Sequence, residues 1–402
     1  MLEERSVMNL AYDGACSGRY SSEVVEALFQ YRQLEREYSP RNLHRFNIKG
    51  FDADIDSDSV LRRWPGFVRF ELRFLNTFGV GARHWLVDYG HTTLQTLGLI
   101  LSAAEKEVVL ATDELYRPWR SVIARAAAHE KIRLESVAVR PMIRADKPSA
   151  LVSEVVQAML RIRPRVLLLS AVTQEGIRIP VDEILARLFQ TWPRDAGCLP
   201  LVVIDACQAF GRVPISLGEG MVPCAVIGCM HKAMRGPKEM GFLICSHGEW
   251  RRRLAEKRRL SASSADMFVY ARTAGRCPDL PTIDCGRAVA SAVAIDGIDI
   301  ETTAERLRQA RMSQLEFEWE LRDSSWEIVG PRNPTWQCGI VLVRPPSHLR
   351  AASSRHGLKE LLDPVAVDEC GDYLRLAFDD SHVTRDAVEL AQFLRKVADQ
   401  LA

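Results

Sequence analysis

The sequence is missing several features, and each absence closes a route. It has no long apolar run; Leu97-Gly98-Leu99-Ile100-Leu101 falls far short of the ~20 residues a helix needs to cross a bilayer. It has almost no net charge. Its 53 basic and 52 acidic residues leave a formal charge of +1, so nothing in the balance draws it to nucleic acid or to an anionic membrane. The clusters Arg251-Arg252-Arg253 and Lys257-Arg258-Arg259 sit among apolar and acidic residues and read as a solvated helix face. There are 10 cysteines but no CxxC pair and no Cys/His ligand cluster, so no structural metal is expected. Cys207, Cys229 and Cys245 lie in or beside apolar runs, where a free thiol behaves as a small hydrophobe in a reducing compartment. Met1-Leu2-Glu3-Glu4-Arg5 is charged and precedes no apolar signal core, so the expected location is cytoplasmic. Neither an internal repeat nor a low-complexity segment is found.

A chain of 402 residues with 47% hydrophobic content can bury a substantial core in one large domain or two ordinary ones. Its middle alternates short β-branched runs with longer helical patterns. Strands are expected at 85–89, 107–111, 133–139, 166–172, 201–206, 225–229 and 241–245. Helical periodicity fills 93–104, 119–129, 150–161 and 181–189. Near-continuous apolar strands separated by helices predict an α/β fold with a mostly parallel, doubly wound sheet. Ligands of such sheets bind beyond the carboxyl ends of the strands. Past about residue 285 the pattern changes to a charged helix at 300–318, strands at 339–343 and 373–378, and a final helix at 384–401. The expected division is an N-terminal arm with helices (1–79), a large domain (80–284) and a small α+β domain (285–402).

The chemistry concentrates in two neighbouring segments, Val202-Val203-Ile204-Asp205-Ala206-Cys207-Gln208 and Ala225-Val226-Ile227-Gly228-Cys229-Met230-His231-Lys232. Each is an apolar strand, and each delivers a functional group at its carboxyl end: an acid from one, an amine from the other. A lysine in such a crevice is costly to desolvate and so readily becomes the neutral amine that forms a Schiff base. Pyridoxal phosphate uses this pair, the lysine for the imine and the carboxylate to keep the pyridine nitrogen protonated. Alone, the pair would equally fit a loop-capping Asp and a surface Lys.

The stretch His231-Lys232-Ala233-Met234-Arg235-Gly236-Pro237-Lys238-Glu239-Met240-Gly241-Phe242-Leu243 resembles the cofactor-lysine signature of class V aminotransferases, cysteine desulfurases and isopenicillin-N-epimerase-like proteins. Asp205-Ala206-Cys207-Gln208 resembles the Asp-Ala-x-Gln motif of the same family. The resemblance covers about residues 80 to 402 and is weak before that, where Leu10–Gly18 alone suggests the family's glycine-containing N-terminal turn. It implies a fold-type I pyridoxal-phosphate enzyme, a homodimer, with pyridoxal 5'-phosphate on Lys232 and His231 beside it. It further implies that Thr92 (by its amide) and Thr93 (by its hydroxyl) bind the cofactor phosphate, that Tyr116 stacks on the ring, and that Asp205 faces the pyridine nitrogen. Thr173 or Gln174, together with Gln208, would reach the phenolic oxygen, and Arg375, in Tyr373-Leu374-Arg375-Leu376-Ala377-Phe378, would grip the substrate carboxylate. Plainer roles exist for several of these: helix-capping threonines, a half-buried Tyr116, and Arg375 in an ordinary ion pair.

The pattern also breaks in places. Cys229 stands where relatives commonly have a phosphate-binding Ser, and Arg276, in Thr273-Ala274-Gly275-Arg276, stands where they often have Thr. Arg276 or Thr273 could substitute, or Arg276 could be a solvated loop residue. A desulfurase needs a mobile cysteine before the carboxylate-binding arginine; Cys370 lies only five positions before Arg375. The expected activity is therefore amino-group transfer on an amino acid or related amine. Carbon–sulfur lyase, desulfurase or epimerase chemistry is the alternative, and a non-catalytic binding descendant is the reading from another class. A nicotinamide site is disfavoured because Gly79-Val80-Gly81 has no third glycine at the needed place.

Overall fold

The computed structural model of the chain describes residues 20–38, 40–50, 59–80, 85–90, 92–193, 199–217, 222–259, 284–349, 368–370, 373–379, 382 and 384–400. Leu10–Gly18 and Thr273–Arg276 lie outside the described residues. The first helices are α1 (Ser22–Glu37), α2 (Pro40–Lys49) and α3 (Phe67–Asn76). They lead into strands β1 (Trp85–Tyr89), β2 (Val108–Thr112), β3 (Arg133–Val137), β4 (Val166–Ser170), β5 (Leu201–Asp205), β6 (Cys224–Cys229) and β7 (Gly241–Cys245). Between and after these strands come α4 (Thr93–Ala103), α5 (Arg117–Ala128), α6 (Arg140–Arg144), α7 (Pro148–Ile162), α8 (Val181–Thr191) and α9 (Gly248–Arg259).

The seven strands form one sheet in the order β1-β7-β6-β5-β4-β2-β3. Five are parallel, from β6 through β5, β4 and β2 to β3. Strand β7 runs antiparallel to both its neighbours, β6 and β1. Both faces are covered, which is why the strands read as unbroken apolar runs. In β5, Val202 and Ile204 join a core with α1, α3, α7 and α8, while Leu201 and Val203 join a second core with α4, α5 and α9. The basic stretch expected on a helix face lies on α9, where Arg253 and Lys257 pair with Glu107 and Glu105.

Aromatic packing from α3 braces the sheet near its carboxyl edge. Phe67, Phe70 and Phe74 recur at helical spacing and are buried. Phe74 meets the Phe242 ring edge-on at 4.9 Å, and Phe78 stacks on Phe210 at 5.0 Å. Phe242 lies over Gly228, where a Cβ would come within 2.3 Å of the ring. Only glycine lets β6 and Phe242 approach this closely.

Beyond the sheet, α10 (Cys285–Ala294) packs against α1, and its Val289 and Val293 belong to the first core. Helix α11 (Ile300–Leu321), β8 (Glu327–Val329), β9 (Ile340–Arg344), β10 (Asp368–Cys370), β11 (Tyr373–Ala377) and α12 (Thr384–Gln400) follow. The four strands form an antiparallel sheet ordered β10-β11-β9-β8. Leu374 and Leu376 of β11 pack with Phe317, Leu390 and Leu394 in a third core. No helix among the described residues is long and apolar enough to cross a membrane.

Candidate active site

Strand β5 ends on Asp205, and neighbouring β6 ends on Cys229, so both chains leave the sheet at one edge. Past Cys229, Met230 donates its amide to Met240 O at 2.9 Å, and Arg235 donates to Lys232 O at 2.9 Å. This closes a tight loop carrying His231 and Lys232 at its start and Lys238 and Glu239 at its return. A cavity of about 550 Å³ opens there, within the range for a small-molecule cofactor site. Its wall includes Thr92, Thr93, Tyr116, Asp205, Gln208, His231, Lys232 and Arg375. The sequence-derived candidates thus come together with one exception.

That exception is Thr173, which is 1% exposed and is not part of the wall. Its amide donates to Ile177 O at 2.9 Å, and its hydroxyl oxygen accepts from the Ile177 amide at 3.2 Å. It closes a turn, and the next residue, Gln174, lines the cavity instead. The one-residue ambiguity of the sequence falls on this turn. The Gln174 carbonyl accepts from Arg375 Nη1 at 2.8 Å.

Asp205 is 5% exposed. Burial raises its carboxyl above the usual carboxylate range, opposed by hydrogen bonds from the Cys207 thiol and amide and by the charge of Lys232. The Cys207 amide donates to Asp205 Oδ1 at 2.9 Å. Cys207 lies two residues past the end of β5, Cys229 ends the adjacent β6, and Cys229 Sγ lies 3.8 Å from the Cys207 carbonyl oxygen. Its hydrogen bond with Cys229, burial and the Asp205 carboxylate push the Cys207 thiol up. The hydrogen bond from Cys207, with His231 and Lys232 alongside, pulls Cys229 down.

At the far end of the sheet edge, β1 passes through Gly90 (φ 99°) into α4. Only glycine takes that conformation without strain. Thr92 caps α4 in a reciprocal box: its hydroxyl accepts from the Gln95 amide at 3.3 Å, and its own amide donates to Gln95 Oε1 at 2.9 Å. The Thr92 amide, expected to serve a phosphate, is thus engaged by Gln95. The first-turn amides of Thr93 and Leu94 have no partner within the helix and carry its positive dipole end toward the cavity. Tyr116, at the start of α5, is 41% exposed and flanks the opposite side.

Arg375 projects from the second sheet and is 4% exposed. Other contacts hold that sheet to the site: Arg212 Nη1 donates to Phe378 O at 2.7 Å, and Arg235 pairs with Asp379 at 2.7 Å. Cys370, considered as a sulfur acceptor, has its backbone paired with Tyr373 in the β10–β11 hairpin.

Sequence reasoning gave no role to Ser170, Cys207, Lys238 or Glu239, all of which line the cavity. Lys238 and Glu239 were visible within the signature stretch. Their return to the site depends on β7 doubling back along β6, which apolar periodicity does not reveal.

No protein-family profile and no curated protein sequence matches the chain. Solved structures do. A cysteine desulfurase from Thermococcus onnurineus NA1 superposes with a TM-score of 0.69 at 14% identity, over 98% of this chain and 95% of that one. A ureidoglycine–glyoxylate aminotransferase from Bacillus subtilis gives 0.63 at 12% identity, over 95% and 91%. A Lys→Ala mutant of the protein C-DES, with glycine covalently linked to its pyridoxal-phosphate cofactor, gives 0.65 at 15% identity, over 97% and 96%. These neighbours are class V pyridoxal-phosphate enzymes. From helix α1 to α12, the chain therefore has the fold-type I architecture that it shares with them.

Proposed function

We propose that the protein is a pyridoxal 5'-phosphate-dependent enzyme of the class V aminotransferase type, acting on an amino acid or related amine through Lys232. The observation that carries this reading is the placement of Asp205 and Lys232 at the ends of adjacent strands, in the wall of one cavity with Arg375. The buried Asp205 carboxyl, held up by desolvation, is suited to a cationic partner such as a pyridinium. The cavity volume and the open amides of α4 suit the rest of the cofactor.

When bound, the cofactor supplies an aldehyde for the imine and a ring that withdraws electrons from the substrate α-carbon. Lys232 would contribute the amine and would be placed to take the proton from that α-carbon. Asp205, in its ionised form, holds a proton on the ring nitrogen. Tyr116 covers the cavity on the side of α5 and limits water. The Arg375 guanidinium orients a substrate carboxylate, to which it can donate two parallel hydrogen bonds.

Amino-group transfer is preferred over desulfuration because Cys370 belongs to a paired strand, whereas a sulfur-accepting cysteine must travel to the substrate. A homodimer in the cytoplasm completes the proposal. The test is the visible absorption spectrum of the purified protein, before and after borohydride, in wild type and Lys232→Ala. A yellow chromophore that borohydride fixes to the peptide containing Lys232 is expected, followed by amino transfer to a 2-oxo acid. A colourless protein in the presence of added cofactor would refute catalysis and leave a binding descendant. Sulfide release from cysteine would move the activity to the desulfurase branch.

A further inference from the structure

We infer that Lys238 is the cationic partner of the cofactor's phosphate, an inference that rests on the pyridoxal-phosphate reading above. The sheet order lays the cavity wall out as a line from β1 through β7, β6 and β5 to β4. Asp205, for the ring nitrogen, stands at β5, and Lys232 follows β6. Gln174, joined to Arg375, follows β4 and marks the substrate side. The remaining stretch, at β1 and β7, holds the open end of α4 and the returning segment that carries Lys238.

These last two segments run side by side. Tyr89 faces Phe242 across the β1–β7 pair, and the Gly90 amide donates to Gly241 O at 2.9 Å. An anion held by the first-turn amides of α4 is therefore next to the chain at 238–241. A phosphate monoester carries a charge of about −1.5 to −2 near neutral pH, and a helix end offsets only about half a charge. A positive charge beside it would offset the remainder, and the thiol of Cys229 is a weak donor.

The other cations of the wall have different places: Lys232 is the proposed imine lysine, and Arg375 stands on the substrate side. Arg375 donates to Gln174 O, and Arg235 pairs with Asp379. The Lys238 amine meets no acid among the described residues. Its neighbour Glu239, also in the wall, is drawn aside: its Oε2 lies 3.0 Å from Arg287 Nη1. Glu239 sits at φ 62°, a left-handed conformation costly for a residue with a Cβ, and such strain gathers at ligand-binding segments. The Lys238 amide is anchored to the Tyr20 hydroxyl at 3.2 Å. The backbone is thus fixed while the ammonium, on its flexible stem, stays available to the cavity.

The experiment compares binding of pyridoxal phosphate and of pyridoxal, which lacks the phosphate, to wild type, Lys238→Gln and Lys238→Arg by absorbance titration. Lys238→Gln is expected to weaken pyridoxal phosphate binding by about ten- to a hundredfold and to leave pyridoxal binding unchanged. Lys238→Arg should restore most of the loss. Raising the salt concentration should weaken binding of the phosphate form more in wild type than in Lys238→Gln. Equal loss of both ligands would mean general damage and overturn the inference. Loss of neither would also overturn it, and if KM for an acid-bearing amino acid then rose, Lys238 would belong to the substrate. A wild type that binds neither ligand would instead refute the underlying cofactor reading.

Discussion

Replacing Glu114 with Gln should remove a pH dependence built into the sheet edge. Glu114 lies between the ends of β2 and β4 and is 2% exposed. Its Oε1 accepts from the Thr112 hydroxyl at 2.8 Å and from the Ser170 amide at 3.1 Å; Oε2 has no partner among the described residues. Burial raises its carboxyl from 4.5 to about 7, against the two hydrogen bonds and with a small push from Asp113. Between those values the native state holds the proton and the unfolded state has lost it. The native state binds more protons there, so stability falls as pH rises. The contribution is complete below 4.5 and is lost as pH passes through about 7. At about 1.4 kcal/mol per pH unit, the loss is roughly 3 kcal/mol in total. Gln cannot ionise, so whatever Glu114→Gln costs in packing or hydrogen bonding does not vary with pH. Urea unfolding of both proteins from pH 4.5 to 8 isolates the slope, because the other titrating groups are common to both. Relative to the variant, the wild type should lose roughly 3 kcal/mol as pH rises, whatever the sign of the starting difference. Infrared spectra at pH 6 should show a protonated carboxyl band that the variant lacks. Parallel stability curves, with no such band, would mean that Glu114 is ionised in the folded protein and that the reasoning is wrong.

Other changes test the site and its supports. Asp205→Asn removes the carboxylate proposed to hold a proton on the ring nitrogen; turnover should fall by about a hundredfold or more while the borohydride-fixed chromophore on Lys232 remains, and unchanged turnover would remove Asp205 from the chemistry. Gly228→Ala drives a Cβ into the Phe242 ring, where the gap is 2.3 Å, and should cost about 1–3 kcal/mol, seen as a lower thermal midpoint; an unchanged midpoint would show that the sheet can relax there.

Much of the candidate site was legible because buried parallel strands announce themselves. Leu201–Asp205 and Val166–Ser170 are apolar at every position but the last, and the functional group follows where the apolar run stops. The same uniformity hides direction. Gly241–Cys245 is buried throughout and reads alike whether it runs parallel or antiparallel, so the return of Lys238 to the cavity could not be read. Thr173 and Gln174 could not be separated, because the turn that faces one inward and the other into the cavity is set by hydrogen bonds to Ile177. The expected strands at 133–139 and 166–172 ran two residues too far, since nothing in side-chain type marks where pairing ends. The partners of the first helices were also unreadable. The helices Ser22–Glu37 and Cys285–Ala294 are far apart in the chain, and only the folded core shows them packed together.

The separation of Arg375 from the rest of the wall has a consequence for the protein's birth. Residues 92 to 241 supply the acid, the amine and the end of α4; the guanidinium arrives with the penultimate element, β11. Translation proceeds at about 5–20 residues per second, so the nascent chain spends several seconds with Asp205 and Lys232 emerged and Arg375 not yet made. A ribosome-stalled chain ending before β11 should present the amine without the arginine proposed to orient a substrate carboxylate. On the proposed roles, order of synthesis places reactivity before selectivity.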